Sequence, residues 1–262
     1  FDLNKEIKNY KNIGFVPTMG GIHRGHISLI KASQNKKNKT IVSIFVNPTQ
    51  FNKKDDFKKY PRNILKDIKI LKKLNVEYLF TPNVKDIYKF NAKKFNLKKK
   101  DKILCAKFRV GHFEGVLNVM NRLMTIIKSK DLYMGEKDYQ QLYLIKKFLS
   151  KKFKVRINSC STIRKNNIAL STRNNLLKKR NIKKASEIAL FLKKIKYRSK
   201  RQGIKLKFDL PNYKKKLEKK YNIKIEYLEF RDEKNLKLSN FKNKYRLFVA
   251  YKIDNVRLID NY

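Results

Sequence analysis

The stretch Val16-Pro17-Thr18-Met19-Gly20-Gly21-Ile22-His23-Arg24-Gly25-His26 ends an apolar run over residues 13–16 and opens an apolar helical pattern at Ile27, Leu29 and Ile30. Strand, glycine-rich turn and helix start follow one another within a few residues. Open α/β sheets bind ligands at the carboxyl ends of their strands, and a helix N-terminus offers free N–H groups and partial positive charge to phosphate. A nucleotide is therefore the expected guest. His23 and His26 stand three apart, on one helical face, where they can bridge phosphate oxygens, and Gly25 lets a phosphate approach the backbone.

Working outward, short apolar runs at residues 41–46, 77–80, 132–134 and 155–159 read as buried strands of the parallel-sheet type. Helical spacing lies between them, at Ile64, Ile68 and Leu71, at Val116, Met120, Leu123 and Ile127, and at Leu142, Ile145 and Leu149. The alternation predicts an α/β fold, a Rossmann-like doubly wound parallel sheet of about five strands over residues 1–161. After Asn175 the texture changes. Lysine-rich helices at 178–196 and 212–220, a loop at 198–205 around Gly203, and strands at 223–230, 246–252 and 256–259 predict a smaller α+β C-terminal domain over residues 162–262.

The formal net charge of +46 would by itself suggest a nucleic-acid or anionic-membrane partner. Lys, Asn and Ile are instead abundant along the whole chain, as happens when base composition drives codon usage, whereas a binding patch is local and interleaved with aromatics. No nucleic-acid or membrane partner is expected. The longest apolar runs fall far short of the ~20 residues a membrane helix needs, and Cys105 and Cys160 lack metal-ligand spacing. A soluble protein of the reducing cytoplasm is the expectation.

Several blocks, taken in order, are more specific. The turn at 16–26 is followed by Ser43-Ile44-Phe45-Val46-Asn47-Pro48-Thr49-Gln50-Phe51 and by Tyr60-Pro61-Arg62. Next come Arg109-Val110-Gly111-His112-Phe113, Gly135-Glu136-Lys137-Asp138-Tyr139-Gln140-Gln141, Ala169-Leu170-Ser171-Thr172-Arg173-Asn174 and Arg257-Leu258-Ile259-Asp260-Asn261. The His-x-Gly-His turn resembles that of nucleotidyltransferases, and the full series resembles the pantothenate synthetases over essentially the whole chain. The resemblance implies ATP-dependent activation of pantoate as an acyl-adenylate, then ligation to β-alanine with release of AMP, by a homodimer.

The blocks suit that chemistry. Lys137 supplies a compact cation for developing phosphate charge, and the Asp138 carboxylate suits ribose hydroxyls. Ser171, Thr172 and Arg173 can close over the β- and γ-phosphates. Gln50 and Gln141 offer neutral amides to a small hydroxy acid such as pantoate, while Pro17 and Met19 can form an apolar wall. The resemblance further implies β-alanine contact at Gln50. It assigns catalysis to His26, with His23, Lys137, Ser171 and Arg173, and an ATP lining of Met19, Gly20, Gly21, Ile22, His23, Arg24, Gly25, His26, Gly135, Glu136, Lys137, Asp138, Ile163, Leu170, Ser171, Thr172 and Arg173.

Mg2+ is expected to bridge the ATP phosphates. Asp67 is the single protein candidate for it, with a solvent-facing carboxylate as the alternative. Departures from the family pattern are Lys66 before Asp67, Cys105 in place of a glutamate, Val110 in place of a proline, Thr172 in place of a serine and a shortened 164–169 loop. Two rivals carry different chemistry. A nucleotidyltransferase acting on a phosphate would want Arg or Lys where Gln50 and Gln141 stand, and a basic nucleic-acid-binding protein would bind RNA without ATP turnover.

Overall fold

The computed structural model describes every residue except Phe1, Asp2, Lys8, Lys11, Lys53, Lys59 and residues 89–93, and it divides into two compact units, Phe1–Thr162 and Ile163–Tyr262. In the first unit the helices are α1 (Leu3–Ile7), α2 (Arg24–Asn35), α3 (Lys54–Lys58), α4 (Ile64–Lys73), α5 (Val84–Tyr88), α6 (Cys105–Phe108), α7 (His112–Ile127) and α8 (Tyr139–Phe153). Its strands are β1 (Ile13–Thr18), β2 (Lys39–Ile44), β3 (Tyr78–Phe80), β4 (Asp131–Gly135) and β5 (Arg156–Cys160). All pairings are parallel, in the order β3-β2-β1-β4-β5. This is the doubly wound sheet expected from the sequence.

The order reverses between β1 and β4, so the crevice outside their carboxyl ends is the switch point at which such sheets bind ligands. Both chemistry-bearing turns emerge there, the Met19–His26 turn from β1 and Glu136-Lys137-Asp138 from β4. Val16, Ile30 and Val42 are fully buried around β1, each stabilising by about 1.5–3 kcal/mol relative to exposure. A Cβ on Gly14 of β1 would lie 2.0 Å from Ser33 Oγ of α2, so glycine permits the close seat of the helix that starts the site.

In the second unit Arg164–Lys165 (β6) and Ile168–Ala169 (β7) form a hairpin whose two turn residues, Asn166 and Asn167, both have positive φ, as a two-residue turn of this hand requires. Arg164 donates to both oxygens of Asp260, at 2.6 and 2.8 Å, and to the Asn261 carbonyl. The long helix α9 (Lys179–Tyr221) packs on an antiparallel sheet of β8 (Lys224–Asp232), β9 (Tyr245–Ile253) and β10 (Val256–Asn261), in the order β10-β9-β8.

The loop expected at 198–205 is corrected by this helix. Buried Ser199, Leu206 and Leu210 carry the apolar face through the stretch, with a kink at Gln202. Beside the kink a Cβ on Gly203 would lie 2.5 Å from the Phe241 ring, so this glycine admits an aromatic side chain and does not end the helix. No described helix is long and apolar enough to cross a membrane.

Candidate active site

Local hydrogen bonds set the histidines. His23 is the N-cap of α2, and its Nδ1 accepts from the Gly25 amide at 3.1 Å; His26 Nδ1 accepts in turn from the His23 amide at 3.3 Å. This is a capping box in which imidazoles take the parts normally played by Ser or Thr and Glu. A backbone N–H can only donate, so each Nδ1 is an acceptor and each proton sits on Nε2. The rings stack with centroids 4.1 Å apart. A Cβ on Gly25 would come 2.8 Å from the His23 ring, a local reason for glycine here besides phosphate approach.

Burial, and then the charge of Lys137, lowers the His23 pKa; burial, and then His23 itself, pushes His26 down to about 3. Both rings are neutral at neutral pH. The arrangement is a pair of uncharged N–H donors, preorganised for an anionic oxygen without a change of protonation.

Asp67, at the start of α4, is buried, and its two oxygens accept the amides of Gly21 (2.8 Å) and Ile22 (2.7 Å). The solvent-facing alternative is thereby corrected: the carboxylate holds the turn. Gly20 and Gly21 have φ of +79° and +63°, which lets consecutive amides face it. Because that carboxylate takes two of the turn's N–H groups, the histidine donors gain weight at this helix start. Among the described residues no three His, Cys, Asp or Glu cluster in a way that could hold a metal ion.

Gln50 is fixed from afar. It lies in a 3-10 turn, Pro48–Gln50, capped by Asn47, and is buried. His112 Nδ1 contacts the Gln50 carbonyl at 2.7 Å, and Arg109 lies 2.8 Å from His112 Nε2. A carbonyl only accepts and a guanidinium only donates, so His112 is neutral with its proton on Nδ1. The Gln50 side chain accepts from Asn47 Nδ2 at 3.2 Å and turns its own NH2 toward Met19 Sδ at 2.7 Å. A Cβ on Gly115 would meet the Thr49 carbonyl at 2.5 Å, so glycine lets α7 reach this turn.

The remaining expected residues have distinct surroundings. Lys137 lies 3.3 Å from Asp138 and is mostly buried, whereas Arg24 is exposed. Gly135 and Glu136 are half-buried beside them. Gln140 is consumed structurally, accepting from the Cys105 amide and donating to the Ile103 carbonyl, while Gln141 is half-buried and makes no side-chain hydrogen bond among the described residues. In the second unit Ser171 Oγ accepts from the Arg173 amide at 3.2 Å and starts a 3-10 turn. Thr172 is buried, and Ile163, Leu170, Ser171 and Arg173 are half-buried.

Sequence reasoning assigned no role to Asn47, Arg109 or His112, although all three lie in the quoted blocks. Tyr88 and Gly115 lay outside every block. The available signal was Gly115 itself, a glycine inside a strongly apolar helical run, where only a close approach explains it.

A family model for pantoate-beta-alanine ligase matches residues 2–262. The chain belongs to this family. A pantothenate synthetase of Flavobacterium psychrophilum is 38% identical over 278 residues, covering 100% of this chain and 98% of the relative. Another, from Endomicrobium trichonymphae, is 41% identical over 261 residues, covering 98% and 92%. Among solved structures, pantoate-beta-alanine ligase from Francisella tularensis, complexed with beta-gamma ATP and beta-alanine, is 41% identical with a TM-score of 0.80 and covers 96% of this chain and 89% of that one. Pantothenate synthetase from Thermus thermophilus is 30% identical with a TM-score of 0.88, covering 96% and 93%. These solved structures share the fold described above.

Proposed function

We propose that this chain joins pantoate to β-alanine using ATP, through a pantoyl-adenylate. The observation that carries the reading is the pair of neutral, Nε2-protonated histidines at the end of β1, in a chain matched to the family from residue 2 to residue 262. A pantoate carboxylate oxygen attacks the α-phosphorus, and the bond to the β-phosphate oxygen breaks to release pyrophosphate. The β-alanine amine then attacks the acyl carbon, the bond to AMP breaks, and the amine gives up a proton.

His23, His26 and Lys137 stabilise the charge that builds on phosphate oxygens in the first step, and Asp138 holds the ribose. Ser171 and Arg173 bind the outer phosphates. Gln50 and Gln141 orient pantoate, with Gln50 also meeting β-alanine. The rings need not change protonation, so they act as fixed donors and rate gains come from orientation and electrostatics.

Magnesium would be carried by ATP rather than by the protein and would offset phosphate charge. Asp67 fits poorly as its ligand, because both of its oxygens already accept turn amides. The family resemblance also supports a homodimer, which sedimentation would test, and a cytoplasmic enzyme, which cell fractionation would test. A phosphate-accepting nucleotidyltransferase is disfavoured by the neutral amide of Gln50 at the end of its hydrogen-bonded frame.

The test is exchange of pyrophosphate into ATP by the purified protein with magnesium, with and without pantoate and in the absence of β-alanine. Exchange that requires pantoate supports the reading. Absence of exchange from folded, ATP-binding protein overturns it.

A further inference from the structure

Gln50 is 8% exposed, and among the described residues its NH2 group meets only the sulfur of Met19. A thioether is a weak acceptor, so a buried donor stands ready for a better one. What keeps the amide from turning its oxygen to that side is Asn47. Its Oδ1 accepts from the Thr49 amide at 3.2 Å, and its Nδ2 donates to the Gly115 carbonyl at 3.1 Å. One of those partners can only donate and the other can only accept, so the orientation of the Asn47 amide is fixed. The second Nδ2 proton then falls on Gln50 Oε1, which leaves the NH2 group of Gln50 facing away.

The shortest of Asn47's contacts comes from Tyr88, whose hydroxyl donates to Asn47 Oδ1 at 2.7 Å and lies 3.1 Å from Thr49 Oγ1. Burial raises the Tyr88 pKa, so the hydroxyl keeps its proton. It sits at the end of α5, 38 residues from Gln50 in sequence, and nothing in the ligation chemistry requires it to touch a substrate. In chains of hydrogen bonds each link polarises the next, so loss of the outermost donor loosens the amide at the far end.

We infer that Tyr88 is a positioning residue: by adding the shortest hydrogen bond to an Asn47 amide already oriented by Thr49 and Gly115, it tightens the lock that keeps the donor side of Gln50 outward, so that the site selects an acid offering an acceptor oxygen. The inference rests on the proposed function for the identity of that acid. The lock itself is a property of the chain alone.

Tyr88→Phe in the full chain removes only the hydroxyl. The expected result is a rise of about fivefold in KM for pantoate, the effect of one lost hydrogen bond, with kcat and KM for ATP unchanged and the melting temperature lowered by no more than about 4 °C. An unchanged KM for pantoate overturns the inference. So does a parallel rise in both KM values with a larger fall in melting temperature, which marks general loosening.

A second measurement needs no substrate. In 15N-labelled protein the Gln50 side-chain NH2 signal, assigned by its loss in Gln50→Glu, should be sharp in the parent and should shift and broaden in Tyr88→Phe. An unmoved signal overturns the lock even if pantoate proves to be the wrong acid. Failure of pantoate-dependent exchange in the parent, with the signal shifting as expected, removes the proposed function and leaves the lock standing.

Discussion

The histidine pair and Gln50 are fixed in opposite ways. His23 and His26 are held by amides two and three residues away in their own turn, whereas the frame around Gln50 is drawn from α5 and α7, with contacts spanning 41 to 68 residues. The first is a cap that any helix start could adopt locally. The second exists only once the domain has folded. A local device is robust to packing errors but leans on the acid–base state of its own rings. A non-local one depends on packing across the domain, and a defect there reaches the Gln50 amide directly.

Four experiments press on that contrast. Removing one of the two Nε2–H donors has the largest effect: His26→Ala should cut pantoate-dependent exchange by about a hundred- to a thousandfold, the loss expected for a preorganised donor, read from initial rates at saturating substrates. Acid comes next. The folded-state pKa of His26 lies near 3 against an ordinary value of 6.5, and that of His23 is lowered as well. In that window the unfolded chain binds protons that the folded chain refuses, so stability is full above about pH 6.5 and is lost progressively as pH falls toward 3. Urea midpoints against pH measure this, and His26→Gln should flatten the curve; an identical slope would remove the histidine cap as its source.

On the non-local side, Gly115→Ala drives a methyl group into the Thr49 backbone and should destabilise by about 2 kcal/mol, the usual cost of overpacking, in urea unfolding. Exchange should lose affinity for pantoate and not for ATP. Smallest is Asp67→Asn, which turns one acceptor into a donor facing a turn amide and should cost about 1–2 kcal/mol. It would leave magnesium dependence unaltered if the carboxylate serves only the turn, and a shifted magnesium requirement would return Asp67 to the metal.

The same contrast explains what the sequence disclosed. The sheet and the Met19–His26 turn were legible because strand periodicity, glycine and capping act over a few residues. The role of Asp67 was not, since its partners lie 45 and 46 positions away. Gln50 was picked out by its chemistry, but the reason its amide has one orientation belongs to Asn47, Gly115 and Tyr88, and no local pattern joins them. Residues 198–205 read as a loop because Gly203 and a polar, lysine-rich run look like a break. Leu206 and Leu210 kept them helical by packing, and the glycine answers to Phe241.

The seat of Gly115 against Thr49 also bears on recombination. Two segments 66 positions apart meet backbone to backbone at a distance that admits no side chain. A chimera that takes residues 47–50 from one relative and α7 from another must therefore match both at once. Crossovers placed before Asn47 or after α7 keep the pair in a common parent, and those placed between them put the Gln50 amide at the mercy of two unrelated backbones.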